Sequence, residues 1–109
     1  MAADTEYNCV VQLSSSLVIK NISEVHKVIN LRLAEDSDIV LAVPTDAEAD
    51  LSFVQLVESA RMDARATGKK LRLAHPATGS VLKVLERGGF MDAQSAEDAQ
   101  FWLHKEVRL

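Results

Sequence analysis

The sequence predicts an α/β domain: a mixed, mostly parallel central sheet of about 4–5 strands with about four helices, in the order β-β-α-β-α-β-α-α. Three observations carry this expectation. Short β-branched runs alternate with segments whose apolar residues recur at helical spacing. One run, Asp38-Ile39-Val40-Leu41-Ala42-Val43, is almost continuously apolar, as expected of a strand buried on both faces in a parallel sheet. The length of 109 residues, 48% hydrophobic and 26% charged, suits a single domain over 1–109 with its own core.

The elements follow in order. Cys9-Val10-Val11-Gln12-Leu13 reads as a strand, Ser14-Ser15-Ser16 as a turn, and Leu17-Val18-Ile19 as a second strand. The two are expected to form an N-terminal hairpin, which makes the sheet mixed. Asn21 opens the first helix, with Glu24 at capping-box spacing. Val25, Ile29 and Leu33, with Ile22 and Val28 beside them, form its apolar face to about Ala34. A polar turn from Pro44 to Ala49 follows the 38–43 strand. The second helix begins near Leu51: Phe53, Leu56, Val57, Ala60 and Ala64 share a stripe, while Gln55, Glu58, Arg61 and Arg65 point elsewhere. Gly68 closes it. Lys69 to Ala74 is a further strand. Val81, Leu82 and Leu85 carry a third helix after Pro76; Gly88-Gly89 end it, with Phe90 folding back onto it. Ser95 and Asp98 cap a last short helix holding Phe101, Trp102 and Leu103.

Several function classes lose ground at once. Twelve Lys+Arg against 16 Asp+Glu leave a net charge of −4, a poor match for nucleic acid. The lone cysteine, Cys9, allows neither an internal disulfide nor a four-thiolate metal site. No apolar run approaches the ~20 residues that span a bilayer, so membrane insertion is not expected. The opening MAADTEYN is acidic and polar, unlike a Sec-type leader, so a cytoplasmic location is expected. His26, His75 and His104 have no partner at metal-ligand spacing; His75 stands out because it ends a strand, where α/β folds often place ligands. Glycine-rich phosphate loops are missing, and no nucleophile–base pair is readable. Neither a cofactor nor an enzymatic activity is expected.

The stretch Thr45 to Ser52 carries acids at alternate positions. A calcium loop starting at Asp46 needs glycine at its sixth position and glutamate at its twelfth; Leu51 and Val57 stand there. A strand-to-helix loop fits better, with Asp50 as N-cap of the second helix and Ser52 in its first turn. A phosphate on Ser52 would meet free N–H donors and the positive end of the helix dipole. It would also crowd negative charge beside Asp46, Glu48 and Asp50.

Ile39 to Val43, then Asp50-Leu51-Ser52-Phe53-Val54, then Arg61, Ala64, Gly68, Leu71, Leu73, Pro76, Val81, Leu85 and Gly89-Phe90 make up a whole-domain pattern. From about Val10 to Phe90 this pattern resembles a STAS domain, the module shared by sulphate transporters and bacterial anti-sigma factor antagonists. The second serine of the antagonists' Asp-Ser-Ser-Gly-Leu motif is phosphorylated by an anti-sigma factor kinase. The resemblance puts Ser52 on that position and Asp50 on the motif's aspartate. Three positions depart: Leu51 replaces the first serine, Phe53 the glycine, and Ala42 the aspartate usual in the strand. A phenylalanine there leaves the surface approachable only if its ring turns into the core. Asp50 to Arg61, with Phe101-Trp102-Leu103, also looks like small stand-alone STAS proteins of proteobacteria, some of which accompany chemotaxis or two-component kinases.

The resemblance implies a non-enzymatic signalling module that binds a protein kinase or anti-sigma factor, or a chemotaxis-type histidine kinase. Ser52 is the expected phosphoacceptor, Thr45 its backup, and Asp50, Ser52, Gln55, Glu58 and Ser59 the expected interaction surface. Two alternatives stand beside it. One is a constitutive adaptor of a chemotaxis or two-component kinase, or of a transporter. The other is a nucleotide or small-molecule binder.

Overall fold

The computed structural model describes residues 9–90 and 95–105; the leader reading concerns residues outside that range. The described elements are β1 (Cys9–Gln12), β2 (Ser16–Leu17), a 3-10 turn (Ile19–Asn21), α1 (Ile22–Glu35), β3 (Asp38–Ala42), β4 (Glu48–Ala49), α2 (Leu51–Ala66), β5 (Lys70–Leu73), α3 (Gly79–Arg87) and α4 (Ala96–Leu103). The α/β class, the helices and the parallel character agree with expectation.

The sheet itself is smaller than expected and differently joined. β1, β3 and β5 form a three-stranded parallel sheet in that spatial order, and β2 pairs with β4 in a separate parallel ladder. The mixed 4–5-stranded sheet and its N-terminal hairpin are therefore corrected: β1 and β2 do not pair. The serine run carries the chain onward instead of reversing it. Ser14 Oγ donates to Ser16 O, and Glu48 N–H donates to Ser15 O at 2.8 Å. Val18 and Ile19 leave the strand for the 3-10 turn.

Consecutive strands advance in one direction across the sheet, so crossovers of the same hand put α1 and α2 on one face. Val11, Ile39, Leu41 and Leu73 point to that face and are buried. Val10, Val40 and Arg72 share the register of the opposite face, where Val10 is 61% exposed. Phe53, Val54, Val57, Ala60 and Ala64 of α2 and Val25, Ile29 and Leu33 of α1 complete the core. Val28, expected on the α1 apolar face, is exposed; Leu56 of the α2 stripe is only half-buried.

Helix ends follow local chemistry. Lys69 N–H reaches Ala64 O at 2.8 Å past Gly68, whose φ of +73° needs no Cβ, and Phe90 N–H reaches Leu85 O at 3.0 Å past Gly89. Ser95 and Asp98 form the expected reciprocal capping box. Asn21 departs from its expected role. Its side chain accepts from Ser16 Oγ at 2.8 Å and makes no cap bond, because the 3-10 turn already supplies carbonyls to the first N–H groups of α1.

Candidate functional site

The first turn of α2 is built around one carboxylate. Asp50 is its N-cap and takes three donors: Ile19 N–H to Oδ2 at 2.9 Å, Ser52 N–H to Oδ1 at 3.0 Å, and the Ser52 hydroxyl to Oδ1. The Ser52 hydroxyl is the main force holding the Asp50 carboxyl below its ordinary value. Partial burial opposes it, and the backbone N–H groups of Ile19, Ser52 and Phe53 reinforce it. A carboxylate so stabilised is a poor proton acceptor. What it does for Ser52 is fix the direction of the hydroxyl.

Ser52 is half-buried rather than fully open to water. Phe53 has turned completely into the core, so its ring does not crowd the surface beside Ser52. Ile19, 68% exposed, and Leu51, 45% exposed, flank the Asp50–Ser52 pair with apolar surface. Thr45, Asp46 and Glu48 lie exposed in the loop before α2, as do Gln55 and Ser59 further along the helix. Glu58 faces another way. Its Oε2 accepts from Arg61 and from Trp102 Nε1, both at 2.8 Å, so it serves a link between α2 and α4.

That link is the largest feature the sequence did not suggest. Arg61, expected to point away from the core, is only 9% exposed. Its guanidinium donates to Glu58 and, at 3.0 Å, to Asp98, and lies 4.4 Å from the centre of the Phe101 ring. Burial alone would raise the Asp98 carboxyl; Arg61 and the Ser95 hydroxyl and N–H outweigh it and hold it below the usual range. The available signal was spacing: Arg61 follows Val57 by four residues and precedes Ala64 by three. Ser80 is a second unsuspected anchor. Its hydroxyl accepts from Ala49 N–H at 2.9 Å and donates to Ala49 O at 3.0 Å, pinning the residue just before Asp50.

His75 is exposed and lines a cleft at the carboxyl ends of β3 and β5 with Thr45, Phe53, Thr78 and Trp102. Its volume of about 20 Å³ is room for one water, too little for a nucleotide. His26 pairs with Asn30 at 2.8 Å, and His104 bonds Leu73 O at 3.1 Å. Among the described residues no three His, Cys, Asp or Glu side chains converge on a metal position. Burial, then the neighbouring Asp36, pushes the Cys9 thiol up, which disfavours the nucleophilic thiolate. Among the described residues no helix is long and apolar enough to cross a membrane.

Comparison with protein-family models, with curated proteins and with solved structures returned no match.

Proposed function

We propose that the chain is a STAS-type signalling module that works by binding a kinase-type protein in the cytoplasm, with Ser52 as the switch. The observation that carries this is the Asp50–Ser52 pair: a hydroxyl oriented by a cap carboxylate at the start of a helix, with exposed apolar side chains on either side. Ile19 and Leu51 supply the contact area, and Gln55 and Ser59 extend it along α2. A phosphate on Ser52 removes the proton that Asp50 accepts and sets two anions side by side. It also competes for the first-turn N–H groups. The carboxylate then loses its strongest partner, its hold on Ile19 N–H weakens, and charge enters the docking face, where desolvation and repulsion oppose binding. A change of ~1.4 kcal/mol moves the affinity tenfold. Thr45, exposed in the preceding loop, is the backup acceptor.

The test is intact-mass analysis of the protein recovered from its own cells, beside a Ser52→Ala variant. One phosphate is expected on the parent and none on the variant. An unmodified parent under every growth condition, or equal modification of the variant, defeats the switch. The half-buried, bonded state of the Ser52 hydroxyl favours a second reading, a constitutive adaptor of a chemotaxis or two-component kinase or of a transporter. It predicts partner binding unaltered by Ser52→Asp.

A further inference from the structure

β5 is the outer strand of the sheet on its side. Lys70 N–H bonds Ser37 O and Ala74 N–H bonds Leu41 O, so the even-numbered residues of this strand face β3. The polar groups of Leu71 and Leu73 consequently face outward. Leu73 O accepts from His104; Leu71 N–H, Leu71 O and Leu73 N–H have no backbone partner among the described residues outside the β3 pairing. They look into an open groove of about 860 Å³.

The groove has two unlike sides. Leu71 shares the helix-bearing face of the sheet, and the groove beside it is walled by Ala64 of α2 and Phe101 of α4. On the other face stand Lys70 and Arg72, both exposed. Arg72 Nε forms a long ion pair with Asp38 Oδ1 at 3.5 Å, too long for a hydrogen bond, and about half of the Arg72 side chain stays exposed. Five Lys or Arg side chains line the groove against one carboxylate, Glu97, on a chain whose net charge is −4. Arg61 and Arg65 are satisfied by their own carboxylates and Lys69 by Leu33 O; among the described residues that leaves Lys70 without an ion pair and Arg72 with only the long one to Asp38.

We propose that the β5 edge is a second docking site, which takes an extended acidic segment of a partner protein as an added strand. Main-chain bonds to Leu71 and Leu73 hold the segment. Alternate carboxylates meet Lys70 and Arg72, and the intervening small apolar side chains lie toward Ala64 and Phe101. A second copy of this chain is disfavoured as occupant, because pairing two β5 edges sets Lys70 and Arg72 against their own kind. This site is separate from the Ser52 surface and does not rest on it.

The experiment uses the full chain and a fluorescent hexapeptide of alternating Glu and Val, with a Lys–Val peptide and a backbone N-methylated Glu–Val peptide as controls. Fluorescence anisotropy should show binding of the Glu–Val peptide alone, weakening as salt rises. Lys70→Glu with Arg72→Glu should reduce its affinity by at least about tenfold, and Ser52→Ala should leave it within about twofold. Amide exchange read by NMR should slow at Leu71 and Leu73 when the peptide is bound. The proposal is overturned if the Glu–Val peptide does not bind at millimolar concentration. It is equally overturned if the Lys–Val or N-methylated peptide binds as well, if exchange at Leu71 and Leu73 is unchanged, or if sedimentation shows the edge taken by a second copy.

Discussion

The two ends of α2 solve the same problem with opposite chemistry. In the first turn an anion, Asp50, gathers donors from the 3-10 turn and from its own helix. About three turns on, a cation, Arg61, gathers acceptors from α2 and α4. Both clusters anchor the helix. Arg61 is sealed under Phe101 and bonded to carboxylates that also serve Trp102 and a helix cap, so each member depends on the others. The Asp50 cluster stays half-open, and one of its donors is the hydroxyl of the half-buried Ser52. A polar network that closes on itself inside the fold is architecture. One that leaves a half-buried hydroxyl beside exposed apolar side chains is the feature on which the proposed switch rests.

Substitutions can break this contrast or sharpen it. The largest effect is expected from Trp102→Ala, which empties a site 1% exposed and strips Glu58 of a donor; urea unfolding should show a loss of about 3–5 kcal/mol. Arg61→Met should cost about 2 kcal/mol. The partners Glu58 and Asp98 are 35% and 39% exposed, so water recovers part of what they lose. Asp50→Ala removes a cap and the anchor of Ile19 and should cost about 1–2 kcal/mol by the same measurement, with Asp50→Asn between it and the parent.

Acid should distinguish the cap from the rest of the surface. Asp50 and Asp98 both have carboxyls held below their ordinary value. Their stabilisation is therefore complete above the unfolded carboxylate range, and it drains away as pH falls through their lower folded values. The urea midpoint of the parent should drop across that interval, and the drop should be shallower in Asp50→Asn. The smallest change is expected from Ser52→Ala, a few tenths of a kcal/mol, since alanine's helix propensity offsets much of the lost bond. A large loss there would place Ser52 with Arg61, among the structural residues.

Much of this protein was legible before any coordinates. Helix ends obey short-range rules, so Asp50, Gly68, Gly89-Phe90 and the Ser95/Asp98 pair could be read from neighbours a few residues away. The buried stripes of α1 and α2 follow from period, as does the apolar β3 at the centre of its sheet. Strand partners could not be read this way. Whether β1 folds back on β2 or lies beside β3 depends on which pairing buries Val11 and Leu17, and that is settled between segments about thirty residues apart. Arg61 shows the same limit. Periodicity places it near the core stripe, but only α4, arriving 37 residues later with Asp98, makes a buried guanidinium tolerable. Local sequence determined the caps and periods because their partners are chain neighbours; tertiary structure alone decided register, the place of β5 at the sheet's edge among the described residues and the Arg61 network, because those interactions exist only once distant segments have met.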